Sequence, residues 1–322
     1  MMRLFSIPMR TRFRRVTRRV GALLEGPCGW GEFSPFPEYS PQTCVRWLAS
    51  AREAATRPWP RPVRDHIPVN VTVPAVGPEQ ARAIVAGSTC ATAKVKVAEP
   101  GQTLADDLAR VEAVRDALGP RGRIRVDANG AWDVDQAVQA IRALDRFGLE
   151  YAEQPCATLE EMARVRLRVD VPLAADESVR TAEDPLRVAG LEAADVVVLK
   201  VQPLGGVWAC LEVAEAAKLP VVVSSAVETS VGIAAGVALA AALPELPFAC
   251  GLATVALLEG DVVADPLLPA GGAIAVRRPA PDPAALARWA LRGPEAGHVL
   301  DRMAAADRLT WPLPPLDSTR AP

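Results

Sequence analysis

The strongest constraint on the fold is an alternation of short β-branched runs with longer alanine-rich stretches, which begins near residue 67. β-branched residues favour strands, and several of the longer stretches open with Ser, Thr or Asp, which cap helices. The predicted strands are 67–73, 93–98, 123–127, 150–153, 173–176, 195–201, 221–225 and 248–252. The predicted helices between them are 78–87, 103–118, 133–146, 158–168, 183–190, 206–217 and 230–242. Repeated strand–helix units predict an α/β fold with a parallel sheet, here a (β/α)8-type barrel of the (β/α)7β form, because no regular last helix follows.

The residues on either side of this repeat predict two further parts. Residues 1–65 hold strand-like stretches, a Gly/Pro/aromatic loop and a helical stretch, so we expect a small α+β capping domain there. The barrel is expected at 66–260. Residues 261–322 are rich in Pro and Gly, and predict a C-terminal segment with one short helix near 283–291 and a loose tail that packs on the cap.

Polar residues stand where five of the predicted strands end. In a barrel of this kind the functional groups lie at the C-terminal ends of the strands. The five segments are KVK at 94–96, DAN at 127–129, EQP at 153–155, DES at 176–178 and KVQ at 200–202. Because strand side chains alternate faces, Lys94 and Lys96 are expected to point together into the barrel mouth.

Three carboxylates lie on three successive predicted strands, at Asp127, Glu153 and Asp176. One strand–helix unit separates each from the next, so the three can converge on one cation. Oxygen ligands without His or Cys select a hard ion. With so few ligands and positions left open for substrate and water, Mg²⁺ is favoured over Ca²⁺, and Mn²⁺ is an acceptable substitute.

Two amines are expected to flank a carboxylate held by this cation. Lys200 ends the strand after the last carboxylate and is expected across the barrel mouth from Lys96. This suggests proton abstraction α to a metal-held carboxylate: the cation stabilises the enediolate, and a lysine with a lowered pKa takes the proton. A single Lys or Asp at a strand end is usually a solvated residue. Five such groups in the order Lys, Asp, Glu, Asp, Lys favour a shared site.

The segments KVK, DAN, EQP and DES, with the stretch LKVQPLGG, resemble the signature of the enolase superfamily, muconate-lactonising subgroup. The resemblance covers the whole barrel. It implies that Asp127, Glu153 and Asp176 are the metal ligands and that Lys96 is the general base and acid. It also implies that Lys200 is the amine on the opposite side, and that Lys94 orients the substrate carboxylate.

Within the superfamily, the chain most resembles the o-succinylbenzoate synthases of actinobacteria. The mandelate-racemase subgroup carries a catalytic His on a late strand, whereas this chain has only His66 and His298. Dipeptide epimerases carry an acidic pair at strand eight, where this chain reads CGLAT at 250–254. The segment SSAVETS at 224–230 and the cap loop GWGEFSPFPEYS are similar to those of the synthases. The further expected substrate contacts are Asn129, Ser224, Glu228 and Gly251, although Glu228 is alternatively only a loop carboxylate.

The resemblance implies a syn dehydration of 2-succinyl-6-hydroxy-2,4-cyclohexadiene-1-carboxylate to 2-succinylbenzoate, a step of menaquinone biosynthesis. Lys96 would remove the α-proton and return it to the departing hydroxyl, while Lys200 stays protonated. Three alternatives stay open on the same scaffold: an N-acylamino acid racemase, a muconate-type cycloisomerase and a barrel that has lost activity. An inactive barrel is expected to lack one of the five groups, and none is missing.

Cysteine spacing and charge exclude several other classes. The six cysteines have no CxxC or CxxH spacing, which argues against a zinc knuckle or a disulfide framework and predicts free thiols. No apolar run is long enough to span a membrane, and the arginine-rich start lacks the apolar region of a signal peptide. The basic run that includes Arg14 and Arg15 has no nucleic-acid recognition motif beside it. A cytoplasmic enzyme with a small carboxylate substrate, no nucleic-acid partner and no membrane partner is therefore expected.

Overall fold

The computed structural model describes residues 1–13, 16–181 and 186–309. Its first part is an antiparallel sheet of β1 (Met2–Phe13), β2 (Val16–Gly26) and β3 (Gly29–Phe33), in that order, covered by helix α1 (Pro41–Thr56). Ser40 caps α1 through its hydroxyl, and Pro41 stands at the first helical position, where a missing N–H costs nothing. A Cβ at Gly31 would lie 1.9 Å from the Ala51 carbonyl oxygen, so glycine is what allows α1 to rest on β3.

Seven parallel strands form the second sheet. In chain order, after the short β4 (His66–Pro68), they are β5 (Val71–Val73), β6 (Thr92–Lys96), β7 (Arg123–Asp127), β8 (Leu149–Glu153), β9 (Leu173–Ala175), β10 (Val196–Lys200) and β11 (Val221–Ser224). Neighbours in the sheet are neighbours in the chain. The sheet is thus a curled parallel sheet with its strand ends at one edge, as the strand–helix alternation predicts.

Helices follow the parallel strands, most of them at the predicted places. They are α2 (Pro78–Ala86), α3 (Leu104–Leu118), α4 (Val134–Asp145), α5 (Leu159–Arg166), α6 (Glu177–Thr181), α7 (Leu186–Gly190), α8 (Val201–Leu204), α9 (Val207–Ala217) and α10 (Ser230–Ala242). Thr103, Asp133 and Thr158 cap α3, α4 and α5 with reciprocal side-chain hydrogen bonds. The two short helices α6 and α8 were not predicted, and residues 183–185 of the predicted helix 183–190 lie outside the described residues.

The first and last predicted strands differ from the structure. Predicted strand 67–73 is divided: β4 leaves the sheet to pair antiparallel with β12 (Ala273–Ala275), and only β5 joins the parallel sheet. Predicted strand 248–252 is not a regular strand among the described residues. It contributes single bridges, Cys250 to Val69 and Gly251 to Ser224. Pro247 has no N–H to give to a ladder, and a Cβ at Gly251 would lie 2.5 Å from Ser224 Oγ.

The lumen of the curled sheet is filled beneath the strand ends. Tyr151, Ala174, Val196, Val198 and Val222 pack there with Phe248. Because side chains alternate along β8, Tyr151 lies one layer below Glu153. The larger core lies between the sheet and its helices. The layer beneath the carboxylates is therefore mostly aliphatic and aromatic, but it also holds the buried Arg125 guanidinium, whose carbon lies 4.7 Å from the Tyr151 ring centroid.

The C-terminal part is more ordered than a loose tail. After α11 (Pro283–Arg288), helix α12 spans Pro294–Leu309, which corrects the tail prediction for those residues; residues 310–322 lie outside the described part. The stretch PEAGHVLDRMAAADRL begins with Pro and is rich in good helix formers, which explains α12. It packs against α1, where Arg52 pairs with Asp307 at 2.7 Å, and Arg302 donates to the Phe36 carbonyl at 2.7 Å.

Candidate active site

Strand register places the predicted groups side by side. Lys96 pairs with Asp127 across β6 and β7, and Asp127 pairs with Glu153 across β7 and β8. Asp176 follows the last residue of β9, and Lys200 is the last residue of β10. All five side chains are buried. The apolar strands thus carry the chemical groups to one edge of the sheet, as expected for its carboxyl ends.

Each carboxylate is paired with a lysine. Lys94 Nζ lies 2.8 Å from Glu153 Oε1 and 3.3 Å from Asp127 Oδ2. Lys96 Nζ lies 2.5 Å from Asp127 Oδ2, and Lys200 Nζ lies 2.5 Å from Asp176 Oδ2. Three negative groups thus face three positive groups in a buried layer, where unpaired charges would be costly.

Burial and neighbouring charges give the two lysines of the KVK segment opposite properties. Burial lowers the pKa of Lys94, but the charges of Glu153 and Asp127 outweigh it and raise that pKa above its ordinary value. Burial, assisted by the Lys94 ammonium, lowers the pKa of Lys96 despite the attraction of Asp127. Lys94 is therefore a fixed cation, whereas Lys96 is the easier amine to deprotonate.

The carboxylates are also unequal. Burial opposes the charge of Asp127, but Lys96 and Lys94 outweigh it and hold the pKa of Asp127 well below its usual range. Burial and the neighbouring Asp127 charge raise the pKa of Glu153 to about 7, although Lys94 opposes the shift. A divalent cation would supply the charge that keeps Glu153 ionised.

Two loop residues hold the strand ends in place. Gln154 is completely buried, and its Oε1 accepts from the Asp176 and Ser178 amides at 3.0 and 3.2 Å. Asn129 accepts from Lys96 Nζ at 2.6 Å and donates to Glu177 at 3.2 Å. Both have positive φ, 39° for Gln154 and 49° for Asn129. Such backbone strain at adjacent strand ends is typical of a functional site.

A small cavity of about 20 Å³ lies above the lysines. Its lining contains Lys94, Lys96, Asn129, Lys200, Ser224 and Gly251 among the expected residues. Glu228 is not part of that lining, because its Oε2 turns back to accept from the Ala226 amide at 2.7 Å. A cavity of about 920 Å³ adjoins the small one and shares Phe13, Lys96 and Asn129 with it. A cavity of about 590 Å³ between β2 and α12 contains none of these lysines or carboxylates.

Seven residues that line the small cavity were not among the expected site residues: Phe13, Phe36, Thr72, Ser225, Ala226, Val227 and Thr254. Thr72 pairs with Lys94 across β5 and β6, so the strand-end rule applied to the first strand would have found it. Phe13 and Phe36 come from the N-terminal part, and the Phe13 ring centroid lies 5.3 Å from Lys96 Nζ. No local sequence pattern predicts that contact.

The residues present fit a hard divalent cation by their donor chemistry. Within the described ranges, no three acidic, thiol or imidazole groups converge as a ready metal cluster, because lysine amines lie against the carboxylates. The three carboxylates are nonetheless buried oxygen donors at the same edge of the sheet. With Lys96 as a neutral amine, the three carboxylates, the Lys94 and Lys200 ammoniums and one divalent cation would sum to one positive charge, which one bound carboxylate would balance.

Comparison with known proteins agrees with the fold. A family model described as "Enolase C-terminal domain-like" matches residues 78–281, and one described as "Enolase N-terminal domain-like" matches residues 4–55. The o-succinylbenzoate synthase of Thermobifida fusca is 71% identical over 276 residues, 86% of this chain and 87% of the relative. That of Mycolicibacterium smegmatis is 55% identical over 306 residues, 94% of each chain.

Solved structures with low identity share the fold alone. The muconate lactonizing enzyme from Pseudomonas fluorescens in complex with muconolactone has a TM-score of 0.78 at 21% identity, covering 90% of this chain and 98% of that one. The N-succinyl Arg/Lys racemase from Bacillus cereus has a TM-score of 0.76 at 20% identity, covering 90% and 97%.

Proposed function

The chain belongs to the o-succinylbenzoate synthase family of the enolase superfamily, and on that premise we propose how its own residues carry out the dehydration. The substrate is 2-succinyl-6-hydroxy-2,4-cyclohexadiene-1-carboxylate, and the products are 2-succinylbenzoate and water. The observation that carries the proposal is that Lys96 and Lys200 line one small cavity above three buried carboxylates.

Lys96 is the base and then the acid. As a neutral amine it takes the proton from the ring carbon that bears the carboxylate. The C–H electron pair first moves into the carboxylate as an enediolate; it then forms the new ring double bond as the neighbouring C–O bond breaks, and the Lys96 ammonium gives its proton to the leaving hydroxyl, which departs as water. The lowered pKa of Lys96 favours the neutral amine that this step needs, and the use of one lysine for both proton transfers would make the elimination syn.

Lys200 stays protonated and stabilises the negative charge that develops as the ring proton leaves. Its ammonium, held by Asp176 at 2.5 Å, also attracts the face of the ring as it becomes aromatic. Lys94 keeps its charge and orients the substrate carboxylate, with Asn129, Ser224 and Gly251 as further contacts. Glu228 shapes the loop from which it comes.

Asp127, Glu153 and Asp176 would hold Mg²⁺, or Mn²⁺ in its place. When bound, the cation would neutralise charge on the substrate carboxylate and so lower the barrier to proton removal.

We further propose that the Cys250 and Gly251 bridges close the curled sheet as a (β/α)7β barrel at 66–260. Residues 1–65 would form its cap and 261–322 the C-terminal segment, of which the described part, to residue 309, would pack on that cap.

A cytoplasmic location accords with six free thiols, all in the described part of the chain. None of the described helices is long and apolar enough to cross a membrane.

One assay tests the function. Purified protein with Mg²⁺ is given the cyclohexadiene substrate and, separately, N-acyl amino acids. We expect dehydration with kcat/KM at least tenfold above racemisation. Racemisation as the main activity would contradict the proposal, and it is the second candidate because both lysines line the same cavity.

A further inference from the structure

Ser34, in the loop after β3, uses each of its polar groups to bind another part of the molecule. Its amide donates to Gln202 Oε1 at 3.2 Å, and its hydroxyl lies 3.3 Å from Gln202 Nε2, which donates to it. The hydroxyl donates in turn to Glu32 Oε1 at 2.6 Å. The Ser34 carbonyl accepts from Arg19 Nη2. Ser34 is completely buried, so these bonds are made without competition from water.

Both ends of this network lie beside the cavity. Gln202 belongs to α8, which starts directly after Lys200. Phe36, two residues after Ser34, lines the cavity and has the Arg19 guanidinium carbon 4.5 Å above its ring. The network thus spans the distance between a proposed catalytic amine and an aromatic wall of the cavity.

Glu32 fixes the same loop to the start of α10. Its Oε2 accepts from the Thr229 and Gly232 amides, both at 3.1 Å. A Cβ at Gly232 would lie 2.9 Å from that oxygen, so glycine permits the approach. Negative charge at a helix N-terminus is favourable.

Arg19 reaches a third element. Its Nε donates to the Val227 carbonyl at 3.0 Å. Val227 lines the cavity at a φ of 63°, where a β-branched residue is strained and must be held by its surroundings. Loop 33–36, the end of β10 and the loop after β11 are thereby fixed to one another.

We propose that Gln202 is a positioning residue, which acts through Ser34 to hold Phe36 at a fixed place relative to Lys200. A buried polar network is a costly way to obtain stability alone, but it specifies a single geometry. The inference rests on the proposed dehydration, because that reaction needs the ring aligned between Lys96 and Lys200. A misplacement of about 1 Å can cost up to ~100-fold in rate.

The test compares Gln202→Leu with Ser230→Ala. Ser230 donates to the Asp261 carboxylate at the same helix start, yet its bonds do not reach loop 33–36. We expect Gln202→Leu to lower kcat/KM ~10-fold, mostly in kcat, and to speed amide hydrogen exchange in residues 33–39 without substrate. Ser230→Ala should lose about as much thermal stability as Gln202→Leu. Its kcat/KM and its amide hydrogen exchange in residues 33–39 should stay near the wild-type values.

Three further variants keep the test decisive. If Gln202→Leu does not fold, Ser34→Ala takes its place, and Ser34→Thr, which keeps the hydroxyl, should recover most of the lost rate. The double variant with Gln202→Leu and Ser34→Ala should lose little more rate than the worse single variant, because both substitutions remove the same coupling between Ser34 and Gln202. Equal losses of rate in Gln202→Leu and Ser230→Ala, or unchanged exchange in 33–39, would overturn the proposal. If the wild-type protein does not dehydrate the cyclohexadiene substrate, the proposed function is wrong. Amide hydrogen exchange in residues 33–39 then still decides whether Gln202 holds that loop in place.

Discussion

The Lys94 ammonium donates hydrogen bonds to both oxygens of Glu153, at 2.8 and 3.0 Å. This pairing, together with Asp127, keeps Lys94 charged and raises its pKa, so it is unsuited to act as a base. We expect Lys94→Met to raise KM for the dianionic substrate ~10-fold, since one cation facing the carboxylate is lost. Exchange of the substrate α-proton with solvent should persist, as NMR in deuterated buffer would show. Complete loss of that exchange in a folded variant would mean that Lys94 moves the proton.

The Lys96 amine should carry both proton transfers. Its pKa is lowered by burial and by Lys94, which makes the neutral form accessible. Each transfer is typically worth ~10²–10⁴ in rate, so Lys96→Ala should leave no detectable dehydration and no α-proton exchange. Thermal unfolding provides the control, since the variant must remain folded. Near-normal dehydration would show that the base has been wrongly assigned.

The strand ends were predictable from the sequence because each apolar run stops at a charged residue. Asp127, Glu153 and Lys200 are the final residues of β7, β8 and β10, where the pattern placed them or within one residue. Parallel strands adjacent in the chain are adjacent in the sheet, so proximity followed from order alone. At these strand ends, the structure was needed to show which lysine pairs with which carboxylate.

Other features depend on contacts distant in the chain. Phe13 lies near Lys96, and Ser34 binds Gln202, across separations that no local period encodes. The eighth strand could not be foreseen as two single bridges, because its pairing depends on how closely Gly251 approaches Ser224. Helix α12 was missed because Pro and Gly before it suggested an irregular tail.

Metal removal should abolish activity. The three buried carboxylates are each paired with a lysine, and the reaction needs a further positive charge at the substrate carboxylate. We expect dehydration to vanish in excess chelator and to return with Mg²⁺ or Mn²⁺. Asp127→Asn, Glu153→Gln and Asp176→Asn should each weaken Mg²⁺ binding in calorimetry by at least ~10-fold. Exposed Glu79→Gln is the matched control, and full turnover in chelator would exclude a metal role.

Glu32 should make stability depend on pH. Burial raises the pKa of its carboxyl to about 7 from 4.5. Between these values the folded state keeps a proton that the unfolded chain has released, so the free energy of unfolding should fall as pH rises through that window. The slope is at most about 1.4 kcal/mol per pH unit. Urea denaturation of Glu32→Gln should show a smaller slope than the wild type, with a remainder from Glu153, whose pKa is also raised to about 7. Glu79→Gln should keep the wild-type slope, and identical slopes in the two variants would contradict the assignment.

Lys200 distinguishes a one-base dehydratase from a two-base racemase. It is held 2.5 Å from Asp176 on the strand beyond the carboxylates, where a fixed cation stabilises developing charge. Lys200→Ala should lower dehydration ~10²–10³-fold, the range for loss of one stabilising donor at a developing oxyanion. Lys200→Arg keeps the cation but cannot act as a base, so it should retain measurable dehydration and lose any racemisation. Arg is bulkier, and a crystal structure of the variant with product must show the cavity open before a loss of activity is interpreted. If α-proton exchange then depends on Lys200 and not on Lys96, the roles of the two lysines are reversed.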